Sequence, residues 1–236
     1  MTITTATDTN TPIESVTPTT IAMLPTWALE VAAKFASTDE TRQALTCIHV
    51  KQSDGGFQIV STDGHRLCRI RINYGADFSD FHWYLSDPEL LISAKSVKKF
   101  DRYAQGLVIK SDGKADTVGG KVPRGSDSPP LDYLSSIAWR PDHSDTHYPD
   151  CDKLIPNKFT CNLGQTENGE GRPIAFNGKY VSEFGAVVAK YSITGVFRMV
   201  FNEPHTPAVM SCDVDAPFIP KGTLIEYLIM PVQLRA

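Results

Sequence analysis

Asp63, His65 and Arg66 fall close together in the stretch Ser61-Thr62-Asp63-Gly64-His65-Arg66-Leu67, and a histidine beside a carboxylate is the pairing that general acid–base chemistry uses. Neither a nucleophile nor a group to orient the ring is identifiable nearby. The pair is therefore read as a hydrogen-bonded turn and not as a catalytic centre. A second concentration, Asp142, His143, Asp145, His147, Asp150 and Cys151, has the residue types of a zinc site. Its close spacing equally suits a polar solvated loop, which is the reading carried forward, and no cofactor or metal is expected.

The elements that position these residues follow from periodicity. Asp-Gly between alternating apolar runs, with Phe57 and Ile59 before it and Leu67, Ile70 and Ile72 after it, predicts a hairpin. The turn is expected to present His65 and Arg66 outward. Strands are expected at Ile21 to Pro25, Thr46 to Val50, Gly56 to Thr62, Leu67 to Tyr74 and Glu89 to Ser93, with helices at Pro25 to Ser37 and Ala94 to Tyr103. Further strands are expected at Leu107 to Lys110, Ala115 to Gly119 and Leu134 to Trp139, then a short strand at Pro173 to Phe176 and a helix at Lys179 to Tyr191. Strands at Val196 to Asn202, Ala208 to Val214 and Leu224 to Leu234 close the chain. Strand, helix and meander thus recur three times, from near residues 21, 89 and 173, with no obvious repetition of the residues themselves.

Composition bounds the function classes. The chain has 236 residues, of which 41% are hydrophobic, enough for a full core. Its formal net charge of -4 argues against a grip on nucleic acid through overall positive charge. No apolar run is long enough to span a membrane and no signal peptide is recognisable, so a cytoplasmic protein is expected. Five cysteines, an odd number with no Cys-x-x-Cys pair, suit reduced thiols better than a disulfide frame or a zinc site. Residues 1 to 20 contain nine threonines, and residues 1–17 are expected to form a disordered tail. Trp27, Trp83 and Trp139 are too scattered for a stacking platform and are read as packing residues.

Three motifs in order carry a resemblance: the Ser61 to Leu67 turn, Tyr148-Pro149-Asp150 with Leu154-Ile155-Pro156, and the ending Tyr227-Leu228-Ile229-Met230-Pro231-Val232-Gln233-Leu234. Together they resemble the bacterial DNA polymerase III beta subunit family, the sliding clamps. The resemblance implies an α+β, DNA clamp-like fold. Residues 18–158 are similar to the family's second domain and 159–236 to the latter half of its third, with the first domain absent. It also implies a non-enzymatic processivity factor for DNA replication or repair. Such a factor holds DNA polymerase or other clamp-binding proteins through short peptides and encircles duplex DNA, without sequence specificity, as a homo-oligomeric ring.

Carried over residue by residue, the resemblance implies a partner-peptide groove between domains. Leu45, Thr62, Gly64, His65, Arg66 and Leu67 supply one part, Pro149, Lys153 and Leu154 a second, and Leu228, Met230, Pro231, Val232 and Leu234 a third. Leucine, valine and adaptable methionine suit an apolar floor, and His65 and Arg66 would donate at the rim. Lys153 stands where the family usually has arginine and Gln233 where it has a basic residue, so peptide preference is expected to be retuned. Lys95, Lys98, Lys99 and Arg102, the most basic stretch, are implied to face DNA phosphates, although such lysines more often mark a solvated face. Two other readings remain. One is a free-standing peptide-binding module that forms no ring and interferes with a clamp. The other is a metal hydrolase on the His143 to Cys151 loop.

Overall fold

A computed structural model describes residues 18–73, 83–100, 104–112, 114–119, 133–138, 147–155, 174–200, 206–214, 219 and 222–232. The tail 1–17 lies outside the described residues, as do Arg102, Trp139, Asp142, His143, Asp145, Gln233 and Leu234.

The first of three successive units comprises β1 (Thr20–Pro25), α1 (Thr26–Ala33), β2 (Cys47–Ser53), β3 (Gly56–Thr62) and β4 (Arg66–Asn73). The two-residue β5 (Tyr84–Leu85) precedes the second unit of β6 (Glu89–Ser93), α2 (Ala94–Val97), β7 (Gly106–Lys110), β8 (Lys114–Val118) and β9 (Tyr133–Ala138). The third opens at an isolated bridge between Ala175 and Val232. It continues through α3 (Gly178–Tyr191) into β10 (Arg198–Val200), β11 (Ala208–Asp213) and β12 (Leu224–Ile229).

The strands form two antiparallel sheets. One has the order β5-β1-β7-β8-β9 and the other β10-β11-β12-β4-β3-β2-β6. The first two units exchange their first strands, since β1 pairs with β7 and β6 with β2. The third unit adds edge to edge, β12 lying antiparallel to β4 from Leu224 opposite Arg71 to Ile229 opposite Arg66. One sheet therefore runs through parts of the chain that are far apart in sequence.

Strand alternation decides what faces the helices. In β4, Cys68, Ile70 and Ile72 point to the main core, where they join Ile48, Val50, Phe57 and Ile59 of the neighbouring strands. α1 covers that side with Ala28, Leu29, Val31 and Ala32, and α3 with Phe184, Val187 and Val188. Tyr227 of β12 is fully buried between Phe184, stacked at 5.1 Å, and Phe35, tilted at 4.9 Å. Each such ring pair adds about 0.5–1.5 kcal/mol beyond area burial, so the third unit shares the core of the first.

The elements correct two expectations. The second helix ends at Val97 and does not reach Tyr103, because only Ala94 and Val97 in it meet the core and the next residues are two exposed lysines. Lys99 and Phe100 continue as tight turns, their N–H groups donating to the carbonyls of Ser96 and Val97 at 3.0 and 3.1 Å. The expected strand at Pro173 to Phe176 is reduced to the single bridge at Ala175. No helix among the described residues is long and apolar enough to cross a membrane.

Candidate functional site

The Asp-Gly turn is held by bonds within its own residues. Thr62 Oγ1 donates to the Arg66 carbonyl at 2.6 Å and accepts from Gly64 N at 3.0 Å. Asp63 Oδ1 accepts from the N–H groups of His65 and Arg66 at 2.9 and 3.1 Å. Gly64 has φ +93°, a conformation that side chains disfavour. This local set is what an Asx-type turn supplies, and it explains why the hairpin is readable from residues adjacent in sequence.

His65 faces out as expected, but Arg66 does not. Arg66 is 9% exposed, because it shares the strand phase of Cys68 and Ile70 and so points to the helix side. There its guanidinium pairs with Asp63 at 2.9 Å and with Glu183 of α3, and donates to the Lys34 carbonyl at 3.3 Å. It also lies over the rings of Tyr180, at 4.6 Å, and Phe35, at 5.2 Å. Burial opposes the charge, yet the neighbouring Tyr227 and the Asp63 carboxylate hold Arg66 above its ordinary pKa, while burial pushes Tyr227 up to about 12. Arg66 is thus an internal tie between α1, β4 and α3.

The other face of the seven-stranded sheet carries a row of four cross-strand neighbours: Val209, Leu228, Leu67 and Thr62. With Val60, Tyr148, Cys151 and Ile155 the three apolar members of that row form a second cluster, separate from the main core. Further along, the same face turns charged: Arg69 pairs with Glu226 at 2.7 Å, and Arg71 joins Glu226 at 3.2 Å.

Residues 147–155 lie across this face as a strap. Tyr148 packs on His49, ring centroids 4.8 Å apart, and Asp152 pairs with Lys51 at 2.5 Å and Arg69 at 3.3 Å. Burial works against the Asp152 charge, but Lys51, Gln58 and Arg69 outweigh it and hold its carboxyl below the usual range. Burial lowers the His49 pKa, against the pull of Glu89 at 2.8 Å.

Close in sequence to members of the cluster, the chain leaves large apolar side chains in solvent. Leu154 is 53% exposed, Met230 44% and Val232 49%. Met230 and Val232 follow Leu228 at alternate positions, and the backbone ties them down. Met230 N donates to the His65 carbonyl at 3.2 Å, and Val232 N to the Ala175 carbonyl at 2.8 Å. Leu45 is half-buried in the short turn Gln43–Thr46, Pro149 and Lys153 are exposed, and Pro231 is half-buried. Lys153 pairs with Asp150 at 3.0 Å.

The structure thus brings the turn, the strap and the last strand into one region. Val60, Tyr148, Cys151, Ile155 and Val209 belong to it as well and were missed. Val209 was legible as the odd-phase apolar residue of Ala208–Asp213, whereas the strap's contribution depends on contacts far apart in sequence.

Two comparisons give this geometry its context. No protein-family model matches the chain. The beta sliding clamp of Synechocystis is 25% identical, the alignment covering 84% of this chain and 61% of that protein, and that of Synechococcus elongatus is 24% identical over 85% and 61%. Over most of its length the chain is similar to beta sliding clamps. It spans 61% of the length of these two curated relatives. Among solved structures, the DNA polymerase III beta chain of Streptococcus pneumoniae matches with a TM-score of 0.56 and 17% identity, covering 98% of this chain and 69% of the other. At that identity the match establishes the clamp-like α+β fold.

In the basic stretch Lys95, Lys98 and Lys99 are all exposed. Lys95 pairs with Glu40, while Lys98 lines a cavity of about 790 Å³ between α1, α2, α3 and the turn, together with Lys34, Arg42 and Lys179. Of the candidate metal ligands, His147 is exposed, Asp150 is paired with Lys153, and Cys151 is buried in the apolar cluster with its thiol pushed up to about 11 by burial. Among the described residues no three candidate ligands converge.

Proposed function

We propose that this chain is a non-enzymatic clamp-like factor of DNA replication or repair. It captures short apolar peptides of polymerases or other clamp-binding proteins on the face framed by the Asp63-Gly64 turn, the 147–155 strap and Met230 to Val232. The observation that carries this reading is the apolar row Val209, Leu228 and Leu67 on the side of the sheet away from the helices, with Leu154, beside Ile155 of the same cluster, and Met230 and Val232, just after Leu228, in solvent. Exposed apolar side chains grouped over an apolar floor mark interaction sites more often than accidents of composition. Arg66 serves this site from behind, by fixing the turn and the third unit, and His65 stands at the rim.

Titration calorimetry with a clamp-binding peptide bearing a large apolar anchor tests the proposal. Saturable binding that Leu154→Ser weakens supports it, and absence of heat with a folded protein refutes it.

We propose further that homo-oligomers of the chain encircle duplex DNA, with Lys95, Lys98, Lys99 and Arg102 toward the phosphates. A ring holds DNA topologically, so retention on a nicked circle and loss after its linearisation is the expected result. A specific observation favours the alternative of a peptide-binding module without a ring: Glu40 compensates Lys95, and the net charge is -4. Equal retention on circular and linear DNA, or none on either, would select that alternative.

A further inference from the structure

The first two units complete each other. β1 of one lies against β7 of the other and β6 against β2, and α1 and α2 are neighbours whose C-terminal halves, Ala33 with Lys34 and Val97 with Lys98, line one cavity. A single unit of this design therefore leaves two surfaces uncovered: the edge of its second strand and one flank of its helix.

Among the described residues the third unit is in that position. Its second strand, β10, is the outermost strand of the seven-stranded sheet among the described residues. Residues 156–173, the stretch that separates it from the strap, are too few to make another unit of the length Thr20–Asn73. Its helix can be compared with the other two, because a lysine followed by an aromatic residue stands at the end of each or just past it: Lys34-Phe35, Lys99-Phe100 and Lys190-Tyr191. Six residues before the aromatic stands Leu29, fully buried, in α1, and Ala94, 6% exposed, in α2. In α3 it is Gly185, half-exposed, where an added Cβ would meet nothing within 4 Å.

Ser182 and Ala189 on the same flank are exposed, whereas Tyr180, Glu183 and Tyr191 on the opposite flank meet Arg66 and Trp27. Where α3 leads into β10, Ile193 is 73% exposed and Val196 64%. Large apolar side chains in solvent beside a strand edge are an association surface.

We propose that this surface pairs with the same surface of a second copy of the chain. What β10 and α3 lack is the first strand and helix of another unit, and the third unit itself offers both: the Ala175 segment and α3. A two-fold pairing satisfies both copies with one interface, as isologous contacts do. Each Ala175 segment lies along the partner's β10, and the two α3 helices pack at Gly185. The Val232 bridge occupies the other side of Ala175, as β5 does for β1. Two chains so joined form an arc of three domains, the middle one composite. The pairing rests on the repeat geometry alone and stands whether or not the peptide and DNA readings hold.

Sedimentation equilibrium of the full chain over a wide concentration range tests it, with Gly185→Arg and Ile193→Asp as variants. Wild-type protein is expected at twice its 26.0 kDa, or four times if two arcs close into a circle. Gly185→Arg is expected to halve that mass with an unchanged melting curve, because the space at Gly185 is empty within one chain. If Gly185→Arg fails to fold, Ile193→Asp, an exposed position, decides. A wild-type monomer at every concentration, an odd-numbered assembly, or an even one that neither substitution weakens would overturn the proposal.

Discussion

Arg66→Met isolates the tie between the third unit and the first, since methionine keeps most of the aliphatic volume and removes only the guanidinium. Breaking a buried ion pair from one side costs about 3–5 kcal/mol, most of it the penalty for the stranded charge. Two features here place the loss near the lower end. Asp63 keeps two backbone N–H donors, and the Glu183 side chain, 33% exposed, can reach water. Loss of the contacts with Tyr180 and Phe35 adds to it. We therefore expect a loss of about 3 kcal/mol in urea unfolding followed by circular dichroism, with an unchanged m-value.

The double variant Arg66→Met with Glu183→Gln should lose less than the sum of the single losses, because the second change removes the charge that the first strands. A single-variant loss below about 1 kcal/mol, or strict additivity, would refute the assignment of Arg66 as the tie.

Three further outcomes are expected. Met230→Ala should weaken a clamp-binding peptide about five- to tenfold in calorimetry, since roughly half of a side chain worth about 1.5–3 kcal/mol on full burial lies open for the peptide to cover; an unchanged affinity would remove Met230 from the groove. The Asp152 carboxyl is held below its unfolded value, so the strap's stability is fully present above about pH 4 and falls as pH drops through the depressed folded value. Hydrogen exchange of residues 147–155 should rise over that window, and Asp152→Asn should raise it already at neutral pH. Cys68, Cys151 and Cys212, buried with thiols pushed up by burial, should resist alkylation in the native state and react once urea unfolds the chain; peptide mass mapping that finds Cys151 modified natively would mean the strap opens freely.

Features that a few neighbouring residues decide among themselves are readable directly from the chain. The Asp63-Gly64 turn is closed by bonds among Thr62 to Arg66, so its residue types specify it wherever it sits. β3 and β6 were readable to the residue from apolar runs bounded by turn signals, and the order strand, helix, meander could be counted three times. What failed were statements that need a partner from elsewhere. α2 reads as a long helix from propensity, yet only one turn of it finds a core to lie on.

Arg66 reads as an outward donor from the turn, while its strand phase with Cys68 and Ile70 and the carboxylate of Glu183 draw it inward. Even the phase was legible, but the reward for burying a charge was not, because that carboxylate stands on a helix of another unit. The groove floor is the clearest case. Leu67 and Leu228 become neighbours only when β12 pairs with β4, and Tyr148 reaches them only because Asp152 finds Lys51 and Arg69 across the sheet. Local hydrogen bonding and alternation fix turns and strands, but which faces meet is set by burial and charge compensation between distant segments, which exist only once the chain has folded.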